Sequence, residues 1–193
     1  MCSSDLELER REPFAAPEEL YNDFVRAFPF NETADQLRAT AEIMADLSSR
    51  FPMDRLLVGD VGFGKTEVAL RAAFRVVASG RQVCVLAPTT ILAQQHFSTF
   101  QSRLAGFPVS VGLLSRFVSR KEAAATLARA EAGEVDVVIG THKLLQKGVR
   151  FKDLGLLVID EEHRFGVMHK EGLKRAYGAV DILSANADRK SVV

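Results

Sequence analysis

The sequence predicts an α/β domain, a parallel sheet with helices on both faces. Three observations carry this. From Arg55 onward, short apolar runs alternate with amphipathic helical stretches, the rhythm of a buried parallel sheet with helical crossovers. Gly59-Asp60-Val61-Gly62-Phe63-Gly64-Lys65-Thr66 is a complete G-x-x-x-x-G-K-T loop between the first such run and the first following helix. Further along, Leu156-Leu157-Val158-Ile159 delivers Asp160-Glu161-Glu162-His163 at a strand end. Parallel sheets bind ligands beyond the carboxyl ends of their strands, where both motifs fall.

The elements follow in order. Residues 6–11 are charge-rich, and 17–27 reads as a short helix. A clearer helix is expected over 36–49, with Leu37, Ile43, Met44 and Leu47 at helical spacing. Strands are expected at 55–58, 82–87, 109–114, 135–139, 156–159 and 180–183, and helices at 65–79, 91–104, 119–132 and 169–177. Gly80, Gly106 and Gly133 stand just past three of these helices, where a C-cap glycine belongs. Residues 7–35 read as a lead-in segment and 36–187 as the domain proper. Residues 1–6 and 188–193 resemble translations of sequencing-adapter DNA, one in each direction. Both ends are therefore expected to be foreign to a fragment of a longer gene. There is no internal repeat and no low-complexity segment.

Composition narrows the setting. The chain has 193 residues, enough for one α/β domain with its own core. No apolar run approaches the roughly 18 residues of a membrane span, and acidic residues from Asp5 onward argue against a signal peptide. The two cysteines, Cys2 and Cys84, give neither a disulfide framework nor metal spacing. A cytoplasmic protein with no membrane partner is expected, with Cys84 reduced and buried in a strand. Lys plus Arg and Asp plus Glu each number 25, so bulk charge does not announce a nucleic-acid binder. Contact with nucleic acid has to come from local groups at loop tips.

The two motifs together specify ATP and Mg²⁺. Glycines let the backbone N–H groups of Gly59, Asp60, Val61, Gly62, Phe63 and Gly64 turn inward around phosphate oxygens, and the next helix adds its positive end. Lys65 is placed to reach the β- and γ-phosphates. Thr66 offers a hydroxyl to Mg²⁺, Asp160 a carboxylate to the same ion, and Glu161 a base to polarise the attacking water. A tight turn and a solvated acidic loop are the competing readings of the separate pieces. His163 takes significance only from its place in the tetrad.

Further clusters stand at other strand ends. Ala87-Pro88-Thr89-Thr90-Ile91-Leu92-Ala93-Gln94-Gln95-His96 closes the second strand, and Gly140-Thr141-His142-Lys143-Leu144-Leu145-Gln146 the fourth. Thr89, Thr90, Thr141, His142 and Lys143 are residue types that grip a phosphodiester backbone without reading bases. Helix capping by Thr89 or Thr90 is the competing explanation. Arg116, in Ser115-Arg116-Phe117, is a further phosphate candidate, with a surface salt bridge as its alternative.

In this order the motifs resemble the first motor domain of a superfamily 2 helicase or translocase, from about Phe28 to Leu183. The resemblance implies a RecA-like P-loop NTPase fold and makes residues 36–187 a helicase ATP-binding domain. It casts the phosphate loop as motif I, Pro88-Thr89-Thr90 as motif Ia, Gly140-Thr141-His142 as motif Ib and Asp160-Glu161-Glu162-His163 as motif II, with His163 in coupling. Phe28-Pro29-Phe30-Asn31-Glu32-Thr33-Ala34-Asp35-Gln36 resembles the adenine-sensing segment, in which Gln36 would bond the base; an ordinary first-turn helix residue is its alternative. The residues of 59–69, 88–96 and 151–167 are similar, more narrowly, to the bacterial transcription-repair coupling factors. These are double-stranded DNA translocases that displace stalled RNA polymerase and recruit excision repair. Phe63 and Glu162 favour that family over the branched-DNA reversal helicases.

One departure stands out. Motif III of the family should fall near 186–188, where this chain has Asn186-Ala187-Asp188, and truncation is the expected reason. The resembled motors also take an arginine finger from a second motor domain, expected to be missing from this chain. The fragment is therefore expected to bind MgATP with little hydrolysis. Polymerase and repair partners would dock on modules outside it. A branched-DNA helicase and a non-motor nucleotide-binding module remain the alternatives.

Overall fold

The computed structural model describes residues 10–59, 62, 64–146, 148–161 and 179–187. Both termini and the helix expected over 169–177 lie outside the described residues. The strands are β1 (Asp54–Gly59), β2 (Gln82–Leu86), β3 (Val111–Leu114), β4 (Val137–Gly140), β5 (Leu154–Asp160) and β6 (Asp181–Ala187). They form one sheet in the order β1-β6-β5-β2-β4-β3, with every pairing parallel. The helices are α1 (Glu18–Arg26), α2 (Ala34–Leu47), α3 (Lys65–Ala78), α4 (Thr90–Leu104) and α5 (Arg120–Ala132), with a 3-10 turn at His142–Leu145.

Strand side chains alternate between two cores, as a pleated sheet covered on both faces requires. Val83, Val85, Leu156 and Val158 join one cluster with Phe24, Ile43, Leu47, Phe74 and Phe100 of α1 to α4. Cys84, Leu86, Leu157 and Ile159 join the other, with Ala130 of α5 and Leu144 of the 3-10 turn. Burial raises the Cys84 thiol well above its ordinary range, so this cysteine is a small apolar core residue, not a nucleophile. Phe24 stacks on Phe74 at 4.2 Å, and Phe107 meets both rings edge-on.

Local chemistry sets the boundaries. Thr33 caps α2 in a capping box with Gln36, and Ser119 does the same for α5 with Glu122, so α2 starts at Ala34 instead of 36. Gly133 ends α5 at φ 79°, and Gly80 also has positive φ. Gly106 does not act as a left-handed cap: α4 ends on Ala105 in right-handed geometry, and the N–H of Phe107 closes the turn on Leu104. The strands expected from 109 and 135 begin at Val111 and Val137. There the Ser110 hydroxyl donates to Asp136 at 2.7 Å, a side-chain bridge standing in front of the ladder.

The lead-in is part of this packing. Phe14 and Phe24 are buried in the first cluster. Arg11 forms a bidentate pair with Asp181, through Nε to Oδ2 at 2.5 Å and Nη2 to Oδ1 at 2.8 Å, both side chains being almost wholly buried. The N–H of Met53 also donates to Asp181, at 2.9 Å. Burial raises the Asp181 carboxyl above the usual carboxylate range, against the pull of Arg11 and Met53 toward its charged form. Arg11→Ala leaves that carboxylate buried without its cation, which costs about 3–5 kcal/mol. Urea unfolding followed by circular dichroism checks this; an unchanged midpoint contradicts it.

Candidate functional site

Parallel register brings the strand ends to one rim. Gly59 pairs with Ala187 and Asp160 with Ala185. Leu86 pairs with both Ile159 and Gly140, and Gly140 with Leu114. The phosphate loop, the acidic motif and the other clusters therefore share one edge of the sheet.

The phosphate loop leaves β1 at Gly59 and enters α3 at Lys65. Gly62 and Gly64 have φ 86° and 73°, a conformation that glycine takes without penalty and that turns successive N–H groups to one side. Asp60, Val61 and Phe63 lie outside the described residues. Gly64 is the N-cap of α3 and offers no side-chain cap; helix starts of this kind are where anions are ordinarily bound. The Lys65 ammonium donates to the carbonyl oxygen of Gly59 at 2.5 Å, which folds the lysine back across the loop. Gln36 packs onto the same loop: a Cβ built on Gly64 would stand 2.1 Å from Gln36 Nε2. Its Oε1 accepts the Thr33 N–H at 2.9 Å, so Gln36 is at once a capping residue and a neighbour of the phosphate loop.

A small cavity of about 60 Å³ joins the two motifs, lined among others by Lys65, Thr66, His96, Phe100 and Asp160. His96 Nε2 lies 2.7 Å from Asp160 Oδ2. Among the described residues no group of three or more His, Cys, Asp or Glu could hold a metal. The oxygen donors present are the Thr66 hydroxyl and the Asp160 carboxylate. Few hard protein oxygens, with substrate phosphates and water completing the shell, is the way Mg²⁺ is ordinarily bound, so the donor set fits. Glu161 follows at φ 53°, the one positive φ among described non-glycine residues, and its N–H donates to the Ala185 carbonyl at 2.8 Å. A non-glycine residue held there stores strain, typical of functional positions. Glu162 and His163 lie outside the described residues.

A groove of about 950 Å³ opens beside the loop, lined by Phe28, Phe30, Gln36, Gly64, Glu67 and Arg103 among others. Phe28 and Phe30 meet edge-on at 5.5 Å, and Phe30 is 72 % exposed, an apolar face suited to a planar base. Its floor is a charge network. Arg103 donates to both oxygens of Glu67, at 2.8 and 3.1 Å. Arg71 donates to Glu67 at 3.1 Å and pairs with Glu32.

The other candidates separate. Thr89 is exposed but caps α4, its hydroxyl accepting the Leu92 N–H at 3.2 Å; Thr90 is the helix's first residue. Thr141, expected to be exposed, is 7 % exposed. His142 and Lys143 stand exposed on the 3-10 turn. Lys143 and Arg116 line one groove of about 490 Å³, with Arg120 beside them.

Sequence reasoning passed over three functional candidates. Arg120 opens a helix beside a basic loop, and only the fold shows that it shares a groove with Lys143. Glu67 follows the lysine-threonine pair directly and reads as an ordinary first-turn acid. His96 carried a usable signal: it lies between the buried Ala93 and Phe100 at helical spacing, so a histidine occupies the sheet-facing stripe of α4.

Residues 33–193 match the DEAD/DEAH box helicase family. The chain is 55 % identical over 174 residues to the transcription-repair-coupling factor of Bacillus subtilis (strain 168), which covers 90 % of the chain and 15 % of that protein. It is 53 % identical to that of Escherichia coli (strain K12), with the same coverage. The chain thus spans about 15 % of the length of these relatives. Among solved structures it is similar to RecG bound to a three-way DNA junction, at TM-score 0.80 and 38 % identity, over 92 % of this chain and 24 % of that one. It shares its fold with the DUF1998 helicase MrfA, at TM-score 0.69 and 18 % identity, over 91 % and 30 % respectively. No helix among the described residues is long and apolar enough to cross a membrane.

Gly64→Ala places a Cβ against Gln36 Nε2 and forces an L-residue to positive φ, which costs about 1–2 kcal/mol. Affinity for a fluorescent ATP analogue should fall at least tenfold while the far-ultraviolet circular dichroism spectrum stays native. Unchanged affinity contradicts the loop's part in the site.

Proposed function

The chain belongs to the DEAD/DEAH box helicase family, and on that premise we propose that it is the ATP-binding half of an ATP-dependent double-stranded DNA translocase of the transcription-repair coupling type. The single observation that carries this is the convergence of Lys65, Thr66 and Asp160 on one cavity at the strand-end rim. A Mg²⁺ ion held there would supply neutralisation of phosphate charge. Thr66 and Asp160 would hold it. The loop amides and the start of α3 bind and orient the phosphates, while Lys65 leaves its Gly59 carbonyl for phosphate oxygens. Glu161, at the end of β5, accepts the proton of the attacking water. Gln36, Phe28 and Phe30 receive the adenine in the adjoining groove.

Lys65 is the only permanent cation among the described residues lining that cavity. Phosphoryl transfer in this class relies on a further arginine from across the cleft, worth about 10³–10⁵ in rate. The isolated chain therefore binds MgATP and turns it over slowly. Thr89, Thr90, His142, Lys143, Arg116 and Arg120 would meet DNA phosphates along the same rim. In the whole protein, RNA polymerase and excision-repair proteins would dock on modules outside this chain. The likeness to RecG on a three-way junction favours one second reading, a branched-DNA helicase. Full-length protein that unwinds junctions and leaves stalled polymerase in place would establish it.

Three measurements test the first reading. In equilibrium binding, Lys65→Ala should lose at least tenfold in ATP affinity, whereas Glu161→Gln should retain affinity and lose residual turnover. Turnover persisting in Glu161→Gln removes the base assignment, and brisk DNA-stimulated turnover by the wild-type chain removes the half-site account. DNA affinity should fall linearly on a logarithmic salt scale, and Lys143→Ala or Arg116→Ala should each reduce the slope by about one. A slope unchanged by both variants removes this groove from the DNA interface.

A further inference from the structure

We propose that His96 is a positioning residue for the metal-holding carboxylate, fixing Asp160 from the far side of the cavity. The two side chains come from different crossovers: Asp160 ends β5, and His96 lies on α4, the helix that follows the neighbouring strand β2. They meet at 2.7 Å through Nε2 and Oδ2. An ionised carboxylate only accepts hydrogen bonds, so His96 Nε2 is the donor. Holding Oδ2 fixes the plane of the carboxylate and with it the position of Oδ1. With Asp160 and Thr66 as the oxygen donors among the described residues lining the cavity, the carboxylate needs such a constraint, because Mg²⁺ demands near-ideal octahedral geometry.

The helix behind His96 is itself pinned. Ala93 and Phe100 are buried on either side, and Phe100 lines the same cavity. Farther along α4, Arg103 donates to Glu67 and, at 2.9 Å, to the carbonyl of Phe24. Glu67 directly follows Thr66 in α3. The helix that carries His96 is therefore tied to the helix that carries the other metal-holding residue. Bonding partners that orient metal ligands typically matter about 10–100-fold in metal affinity.

His96 has this role only if the cavity is a MgATP site, so the test separates the two. A fluorescent ATP analogue is titrated against the chain in EDTA and across a range of free Mg²⁺, for wild type, His96→Phe, His96→Ala and His96→Gln, with thermal melts of each. Phe keeps the ring volume without the donor, Ala removes both, and Gln returns a donor at similar reach. In His96→Phe and His96→Ala the Mg²⁺ half-point should rise about tenfold or more, with affinity in EDTA unchanged. In His96→Gln the half-point should return most of the way. A half-point in His96→Phe or His96→Ala equal to that of wild type overturns the proposal, as does a loss in His96→Gln as large as in His96→Ala. A wild-type chain with equal affinity in EDTA and Mg²⁺, or none in either, removes the MgATP site itself and this role with it.

Discussion

Parallel pairing is the constraint on which the site depends. Each strand must return across a face of the sheet before the next begins, so all carboxyl ends collect on one rim. Gly59 ends the first strand of the sheet order and Asp160 the third, with β6 between them. The register aligns Gly59 with Ala187 and Asp160 with Ala185, two residues apart on the same intervening strand. The phosphate loop and the acidic motif, separated in sequence, are brought together by the register of these strands. The crossovers then deliver the remaining groups, α3 bringing Thr66 and α4 bringing His96.

The buried charges have a different task. Arg11 and Asp181 join the lead-in to the last described strand. Glu67, Arg71, Arg103 and Glu32 join α3 to α4 and to the segment before α2. Desolvation offsets much of the attraction in such groups, and Arg71 Nη2 has no hydrogen-bond partner among the described residues, so they add less stability than their number implies. Their geometry is specific, however. The Glu67 carboxylate receives both guanidinium groups, and Arg103 also lies 4.1 Å over Phe24 and 5.4 Å from Phe28. The aromatic wall of the groove and the helix of the phosphate loop are thus set by the same arginine.

The fold was legible because its signals are local. Apolar runs, cap residues and the glycines of the phosphate loop act over a few residues, and each of β1 to β6 overlaps an expected run, with β1, β4, β5 and β6 extending past theirs. The misplacements have local causes too. At Ser110 and Asp136 a side-chain bridge joins the backbone bonds just before the strands begin, and at Gly106 a right-handed Ala105 ends α4 without needing a glycine's freedom. The site was half legible. Lys65, Thr66 and Asp160 carry their chemistry in their spacing. His96, Glu67 and Arg120 do not: His96 meets Asp160 and Glu67 meets Arg103, while Arg120 only shares a groove with Lys143, and no spacing in one dimension announces what packing brings together. Burial of Thr141 was hidden for the same reason.

The remaining asymmetry lies around the phosphate. In the proposed site, Lys65 and the start of α3 supply positive charge and donors from one side, and Asp160 and Glu161 stand at the rim beside them. The opposite side carries no fixed cation among the described residues lining the cavity. Catalysis of phosphoryl transfer depends on charge stabilisation all around the transferring group, whereas binding needs only one well-made face. Glu161 makes the division concrete. It stands at positive φ with its N–H bonded to the Ala185 carbonyl, a strained backbone at the position proposed for the base. On the proposed function, a strained base beside a one-sided cradle fits a site that binds first and is completed by a second surface, with affinity set by the rim of this sheet.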